Sequence, residues 1–147
     1  MATIKVTSSA DETEKFLSKV FEILDSYDYD RFQEVFSADL EFTGGLWKDT
    51  GRDNFVKSLR KQMQIAPPMK TWHVRDKNDV ASDGTIYSSG RLTTVFEAHP
   101  DSPITIPMIG VFTMVADGPE CGKIKNMAIH KDRVPFIPFI QKLPGMA

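Results

Sequence analysis

Histidine and carboxylate side chains are the groups of this chain best suited to proton transfer, and His73 and Asp28 are the pair we favour. A histidine has an unperturbed pKa of about 6.5, so it can take or give a proton near neutral pH, and a neighbouring carboxylate fixes which ring nitrogen is protonated. We predict that His73 is the general acid or base and that Asp28 tunes it. The alternative is that His73 faces solvent on a strand and Asp28 only caps a helix.

Three further polar residues could stabilise negative charge on a substrate oxygen: Tyr27 at the end of the first helix, Arg91 in mid-strand and Asn126 in the last strand. Each also has a purely structural explanation. The tyrosine ring could pack in the core, and the arginine could be a cross-strand partner on the outer face. The strand face opposite Asn126 carries both lysines and apolar residues, so either face of that strand could be the buried one.

Aromatic residues could line an apolar pocket, and we select Trp47, Trp72 and Phe112 for this role. Large apolar side chains, however, belong to a core far more often than to a ligand site. The segment 134–140 is strongly apolar and stiffened by prolines. We expect it either to close the mouth of the pocket or to cross to a second copy of the chain, because exposed apolar surface favours association.

Composition and missing motifs exclude several function classes. The chain has 147 residues with 18 Lys and Arg, 20 Asp and Glu and a formal charge of -2, which argues against a nucleic-acid partner. It has no nucleophile elbow, phosphate loop, dinucleotide fingerprint or Cys/His ligand spacing, so we expect neither metal nor cofactor. The single Cys121, the lack of a secretory signal and the lack of a membrane-length apolar run predict a cytoplasmic protein without a membrane partner.

The elements that position these residues divide the chain into a helical half and a strand-rich half. Apolar residues at helical spacing predict three helices, with a brief strand at 40–42 before the third. The helices cover 11–26, 32–36 and 55–63. Four strands rich in β-branched and aromatic residues follow. They cover 71–74, 85–98, 104–116 and 123–131. Short connections predict antiparallel neighbours, and the whole chain, 1–147, is expected to be one α+β domain.

Several short pieces of sequence, in this order, resemble the nuclear transport factor 2-like superfamily. They are Tyr29–Phe32 leading into Phe36–Phe42, Gly51–Phe55, and Pro107–Phe112 followed by Gly122–Ile124. The superfamily includes SnoaL-type polyketide cyclases, ketosteroid isomerases, scytalone dehydratases and limonene epoxide hydrolases. The resemblance covers nearly the whole chain. It implies a cone-shaped half-barrel, with three N-terminal helices packed on a curved, mostly antiparallel sheet around an apolar hollow, and it implies homodimerisation.

Within that superfamily, scytalone dehydratases match at Asp25-Ser-Tyr-Asp28 and at Thr71-x-His73, where they keep a tyrosine, an aspartate and a catalytic histidine. The resemblance implies a cofactor-independent isomerase, cyclase or dehydratase that acts on a small hydrophobic, polyketide- or terpenoid-like intermediate. One alternative is a non-catalytic module that binds a small ligand or associates with a protein. Another is an epoxide-opening or pinacol-type rearrangement enzyme, which would need Asp28 or Glu97 as a carboxylate inside the cavity.

Overall fold

The computed structural model describes residues 10–45 and 47–140. They form a six-stranded sheet with helices on one face. The strands are β1 (Phe36–Gly44), β2 (Trp47–Thr50), β3 (Met69–Val80), β4 (Ile86–Phe96), β5 (Ile104–Met114) and β6 (Ile124–Lys131). Their order across the sheet is β2-β1-β6-β5-β4-β3. All neighbours are antiparallel except β1 and β6, which run parallel. The predicted α+β architecture with a mostly antiparallel sheet is confirmed.

The helices differ from the prediction in the second helix and in a C-terminal pair that was not predicted. They are α1 (Ala10–Ser26), a 3-10 helix (Tyr29–Glu34), α2 (Arg52–Ile65) and a C-terminal pair, a 3-10 helix (Val134–Phe136) followed by α3 (Ile137–Ile140). The predicted second helix is therefore a short 3-10 turn, and Phe36 belongs to β1 instead. Pairing of β1 with the distant β6 extends this segment, which helical spacing alone could not reveal.

The sheet also contains more strand than the sequence pattern predicts. β2 was not predicted, because its four residues are too few to show a period; it forms a hairpin with β1 in which Gly44 pairs with Trp47. β3 continues beyond Val74 to Val80 through an irregularity between Arg75 and Lys77. Such a bulge offsets the alternation on which the strand prediction rests.

Helix α1 packs across β3 on the concave face of the sheet. Leu17, Val20 and Ile23 of the helix are fully buried. Toward the start of α1, the Arg75 guanidinium donates two hydrogen bonds, of 2.8 and 2.7 Å, to the two carboxylate oxygens of Glu14. These two hydrogen bonds fix both the position of the helix along the strand and its contact with the strand.

The convex face of the sheet carries exposed apolar side chains. Trp72, Tyr87 and Ile109 are 42%, 47% and 48% exposed. A patch of this kind is typical of an association surface. The homodimer stays a prediction. No helix in the described residues is long and apolar enough to cross a membrane.

Gly90→Ala should lower the free energy of unfolding by about 1–3 kcal/mol, since the added methyl group cannot be accommodated. A Cβ at this position would lie 2.3 Å from the Val74 carbonyl oxygen and 2.9 Å from the Arg75 Cα, both in the adjacent strand β3. Urea denaturation measures the loss, and Ser89→Ala is the neighbouring control. Equal stabilities for the two variants would contradict the close approach of β3 to β4.

Candidate active site

A cavity of about 420 Å³ lies between the helices and the concave face of the sheet. Its volume falls in the range of small-molecule sites, and most of its lining is apolar. The apolar walls come from α1 (Phe21, Leu24), β1 (Phe42), α2 (Phe55, Leu59, Met63), β4 (Leu92, Phe96) and β6 (Met127, Ile129). The cavity can therefore exclude water from most of a bound molecule.

His73 lines this cavity from β3 and is held by Asp25 of α1. The His73 Nδ1 lies 2.6 Å from Asp25 Oδ1, and the backbone N–H of His73 donates to Asp25 Oδ2 at 3.2 Å. A carboxylate at this distance accepts the Nδ1 proton, so a neutral ring keeps Nε2 unprotonated. The Phe21 ring lies 5.0 Å from the imidazole and packs against it. The histidine is thus oriented by a carboxylate, as general acid–base chemistry requires.

The predicted partner Asp28 is wrong. Asp28 is exposed, lies beyond the end of α1 and does not bond to His73; its backbone N–H donates to Ser26 Oγ at 3.2 Å. Residues four apart share a helix face, so Phe21 and Asp25 both point at β3, whereas the chain has already left the helix at Asp28. The capping alternative fails as well, because Asp28 makes no side-chain cap to the following 3-10 helix.

Tyr27 lines the cavity from the turn that ends α1. Its backbone has φ 57°, a left-handed conformation that is rare for a bulky residue and that directs the chain out of the helix. The pKa of its hydroxyl is raised, first by burial and then by the negative charge of Asp25 and by Tyr29. The phenol therefore stays protonated at neutral pH and can donate a hydrogen bond.

Trp47 is the predicted aromatic residue that does line the cavity. Its ring packs edge-on against Phe42 with centroids 4.7 Å apart. The indole N–H donates to Asp49, which also accepts a 3.1 Å hydrogen bond from Ser58 Oγ. Because its donor is already used, Trp47 offers a ligand an apolar surface.

Arg91 and Trp72 lie on the convex face of the sheet, so the prediction that they line the pocket is wrong. Arg91 is exposed and forms an ion pair with Asp76 at 2.9 Å. The inward positions of these strands are held by their neighbours, Leu92 in β4 and His73 in β3, which both line the cavity. Since side chains alternate along a strand, Arg91 and Trp72 must point away from it.

Asn126 and Phe112 are also outside the cavity lining. Asn126 pairs with Glu41 across β1 and β6 and lines a separate depression on the outer face. The inward face of β6 carries Met127 and Ile129, the alternative that the sequence left open. Phe112 does point to the concave side, but it is fully buried beneath the lining, with its ring 6.1 Å from that of Phe21.

Lys131 was missed by the sequence reasoning. It lies at the end of β6 opposite Met108, shares the inward face with Met127 and Ile129, and lines the rim of the cavity beside Arg133. The residue as a whole is exposed at the rim. Burial of its amine and the nearby charge of Arg133 nevertheless lower the pKa of that amine to about 8. Alternation along β6 would have identified it once the inward face was known.

The remaining polar side chains of the cavity include a pair of threonines. The Thr71 and Thr94 hydroxyls form a hydrogen bond of 2.6 Å, and the Thr71 hydroxyl also donates to the Thr93 carbonyl at 3.3 Å. Asp25 is the one carboxylate among the described residues that line the cavity. Within those residues there is also no cluster of three His, Cys, Asp or Glu side chains that could hold a metal ion. The absence of a metal or cofactor requirement stays a prediction.

The C-terminal segment packs on its own chain at the mouth of the cavity. Phe136 is buried and lines the cavity, and Phe139 stacks on Phe96 with centroids 5.2 Å apart. Val134 and Ile137 of the same segment stay exposed. The described part of the segment thus narrows the mouth and leaves two apolar side chains on the surface.

Comparison with known proteins adds a relative to this geometry. No family model matches the chain. Over 142 residues, however, it is 46% identical to the sordarin/hypoxysordarin biosynthesis cluster protein G of Sordaria araneosa, a match that covers 97% of this chain and 95% of that protein. The chain belongs to the cluster protein G family.

Solved structures show that this cluster protein G family member has a nuclear transport factor 2-like fold. An NTF2-like protein of unknown function from Burkholderia pseudomallei aligns with TM-score 0.69 at 12% identity, over 86% of this chain and 95% of that chain. ActVI-ORFA from Streptomyces coelicolor aligns with TM-score 0.65 at 18% identity, over 83% and 96%. A LEH-like epoxide hydrolase of M. tuberculosis aligns with TM-score 0.61 at 13% identity, over 80% of both chains. The cone fold is thereby confirmed; these distant structures show the fold alone and say nothing about the reaction.

Asp25→Asn should change the proton distribution on the His73 ring, because an amide, unlike a carboxylate, can donate to Nδ1 as well as accept from it. In the wild type we expect the neutral ring to be protonated on Nδ1. Long-range ¹H–¹⁵N spectra distinguish the tautomers. Asp28→Asn is the control and should leave the spectrum unchanged; the same change in both variants would contradict the assignment of Asp25 as the partner.

Lys131→Met should raise the free energy of unfolding at neutral pH by about 1 kcal/mol, because it removes a cation that the cavity desolvates. The expected gain is smaller than the full pKa shift would give, because solvent at the rim screens the charge. The folded pKa of about 8 lies below the ordinary value of 10.5, so the unfolded chain binds more protons between these pH values and wild-type stability rises with pH there. The gain should therefore shrink as the pH rises from 8 to 10.5.

Denaturation curves at several pH values measure this difference. Lys125→Met is the matched control and should show little gain, because a bulge in β6 interrupts the alternation and Lys125 lines the outer depression with Asn126. A gain in the control as large as that in Lys131→Met would contradict the desolvation of Lys131.

Proposed function

We propose that this protein is a cofactor-independent isomerase or cyclase that transfers a proton on a small hydrophobic intermediate of secondary metabolism. The observation that carries the proposal is the His73–Asp25 pair, which presents one oriented imidazole to a cavity whose other walls are mainly apolar. Relationship to a protein of the sordarin/hypoxysordarin biosynthesis cluster supports a substrate from a biosynthetic pathway, which we propose to be polyketide- or terpenoid-like.

Proton transfer begins with His73 as the general base. Its unprotonated Nε2 takes a proton from a carbon next to a substrate carbonyl, and the electron pair of the broken C–H bond moves toward the carbonyl oxygen. The resulting imidazolium is stabilised by Asp25, which lies 2.6 Å from Nδ1. His73 can then return the proton to another atom, which gives an isomer, or protonate a departing hydroxyl, which gives a dehydrated product.

Tyr27 supplies the complementary acid. Its protonated hydroxyl donates a hydrogen bond to the substrate oxygen on which negative charge develops. The apolar walls surround the carbon skeleton, exclude water and restrict the shape in which the intermediate reacts. If two reactive carbons of the bound skeleton are brought together in that shape, the same proton transfer leads to ring closure.

The epoxide-opening alternative receives no support from the geometry. It requires a free carboxylate in the cavity from Asp28 or Glu97, and both residues are exposed outside the lining. Asp25 is inside, but both of its oxygens already accept hydrogen bonds from His73. A non-catalytic binding protein remains the competing function, which the following experiment tests.

His73→Gln should reduce turnover by about 10²–10⁴-fold while ligand binding is retained, because it removes the proton carrier but preserves a polar side chain of similar reach. The substrate source is an extract of a strain that lacks this gene, incubated with pure protein and analysed by mass spectrometry. An isomerase or cyclase gives a product of unchanged mass, and a dehydratase gives one lighter by a water molecule.

Two further variants separate catalysis from folding. Asp25→Asn should lower turnover as well, since His73 loses its orienting carboxylate, whereas Asp28→Asn should retain wild-type activity. If the wild type binds a compound from the extract without converting it, the protein is a binding module. If conversion occurs and His73→Gln matches the wild type, the mechanism is wrong.

A further inference from the structure

We propose that the natural substrate carries a carboxylate group and that Lys131 and Arg133 bind it at the rim of the cavity. This inference deepens the proposed function and rests on it, because it describes the same cavity. It adds the chemical class of the substrate and the direction in which the substrate lies.

Lys131 and Arg133 stand out because they are the two Lys or Arg residues among the described residues that line the cavity. Four other arginines, Arg31, Arg52, Arg75 and Arg91, each form an ion pair with a carboxylate. Arg60 lies over the Tyr29 ring. Arg133 and Lys131 have neither a carboxylate nor an aromatic partner among the described residues, although both line the cavity. Two unpaired cations side by side in a concave site favour an anionic ligand.

The position of Lys131 has an electrostatic cost in the empty protein. Its amine has a pKa of about 8, lowered by burial and by the charge of Arg133. At neutral pH it still carries a proton, so the cavity rim holds two positive charges that repel one another. A bound carboxylate would offset both the lost hydration and the repulsion.

Charge at the two ends of the cavity also fixes the direction of the substrate. Asp25 and His73 are on the β3 side, and Lys131 is on β6, three strand spacings away in the sheet order, which corresponds to roughly 14 Å along the sheet. Since both side chains enter the cavity, the span left for a ligand is shorter. The Asp25 carboxylate repels an anion and the rim attracts it. The acid group therefore lies at the rim, and the reacting carbonyl lies at His73.

The test compares ligands that differ only in the head group. Octanoate, octanol and octyl phosphate share a flexible apolar tail that fits the cavity whatever the shape of the natural substrate. Their dissociation constants can be measured by NMR titration of the full-length protein. We expect the wild type to bind octanoate at least about tenfold more tightly than octanol, which corresponds to one good charge-assisted contact.

Three variants locate the head group. Lys131→Met and Arg133→Gln should each weaken octanoate binding about tenfold and leave octanol binding unchanged or slightly stronger. Lys125→Met, at a position that the β6 bulge turns to the outer face beside Asn126, should bind both ligands like the wild type. His73→Gln should also retain the preference for octanoate, because it alters the other end of the cavity.

The possible outcomes separate the inference from the function beneath it. Equal binding of octanoate and octanol by the wild type, or no effect of Lys131→Met, overturns the carboxylate site and leaves the apolar cavity intact. Tighter binding of octyl phosphate than of octanoate assigns the head group as a phosphate and overturns the carboxylate. Failure of all three ligands to bind contradicts the hydrophobic-ligand function together with the inference.

Discussion

The docking of α1 across β3 is the constraint on which the rest of the structure depends. Two carboxylates on the helix bind the strand. Glu14 accepts two hydrogen bonds from the Arg75 guanidinium. Asp25, three helical turns later, is hydrogen-bonded to both the ring and the backbone N–H of His73. These contacts set the height of the helix above the sheet and its position along the strand. The same docking closes one wall of the cavity and orients the histidine that we propose as its acid or base.

The cavity combines this polar wall with an apolar interior. On the opposite side, three aromatic rings from β1, β2 and α2 form the floor of the cavity. They are Phe42, Trp47 and Phe55, and their ring centroids lie between 4.6 and 5.9 Å apart. In such surroundings the Asp25–His73 interaction is stronger than it would be in water, because little solvent screens it. The apolar interior therefore both accepts a hydrophobic skeleton and strengthens the one oriented acid–base pair.

The nuclear transport factor 2-like fold alone would not have indicated this function. Proteins of this fold carry different sites on the same cone, and the aligned structures here share less than a fifth of their residues with this chain. The inference comes from the side chains: an imidazole with an orienting carboxylate, a protonated phenol and an unpaired cationic rim. The cluster protein G relative, at 46% identity, is close enough in sequence to show the family.

The sequence by itself determined α1, α2 and the strands β3 to β6, because apolar residues repeat at helical spacing in the two helices and β-branched and aromatic residues dominate the four strands. It also singled out His73 and Tyr27. It selected Asp28 instead of Asp25 as the partner of His73, because the right choice depends on where α1 ends and which side of the helix meets β3. Nor could it place Arg91 and Asn126 outside or Lys131 inside, because alternation defines two faces of a strand without saying which one the helices cover. That choice was made by tertiary packing, through the contacts of α1 and the non-local pairing of β1 with β6.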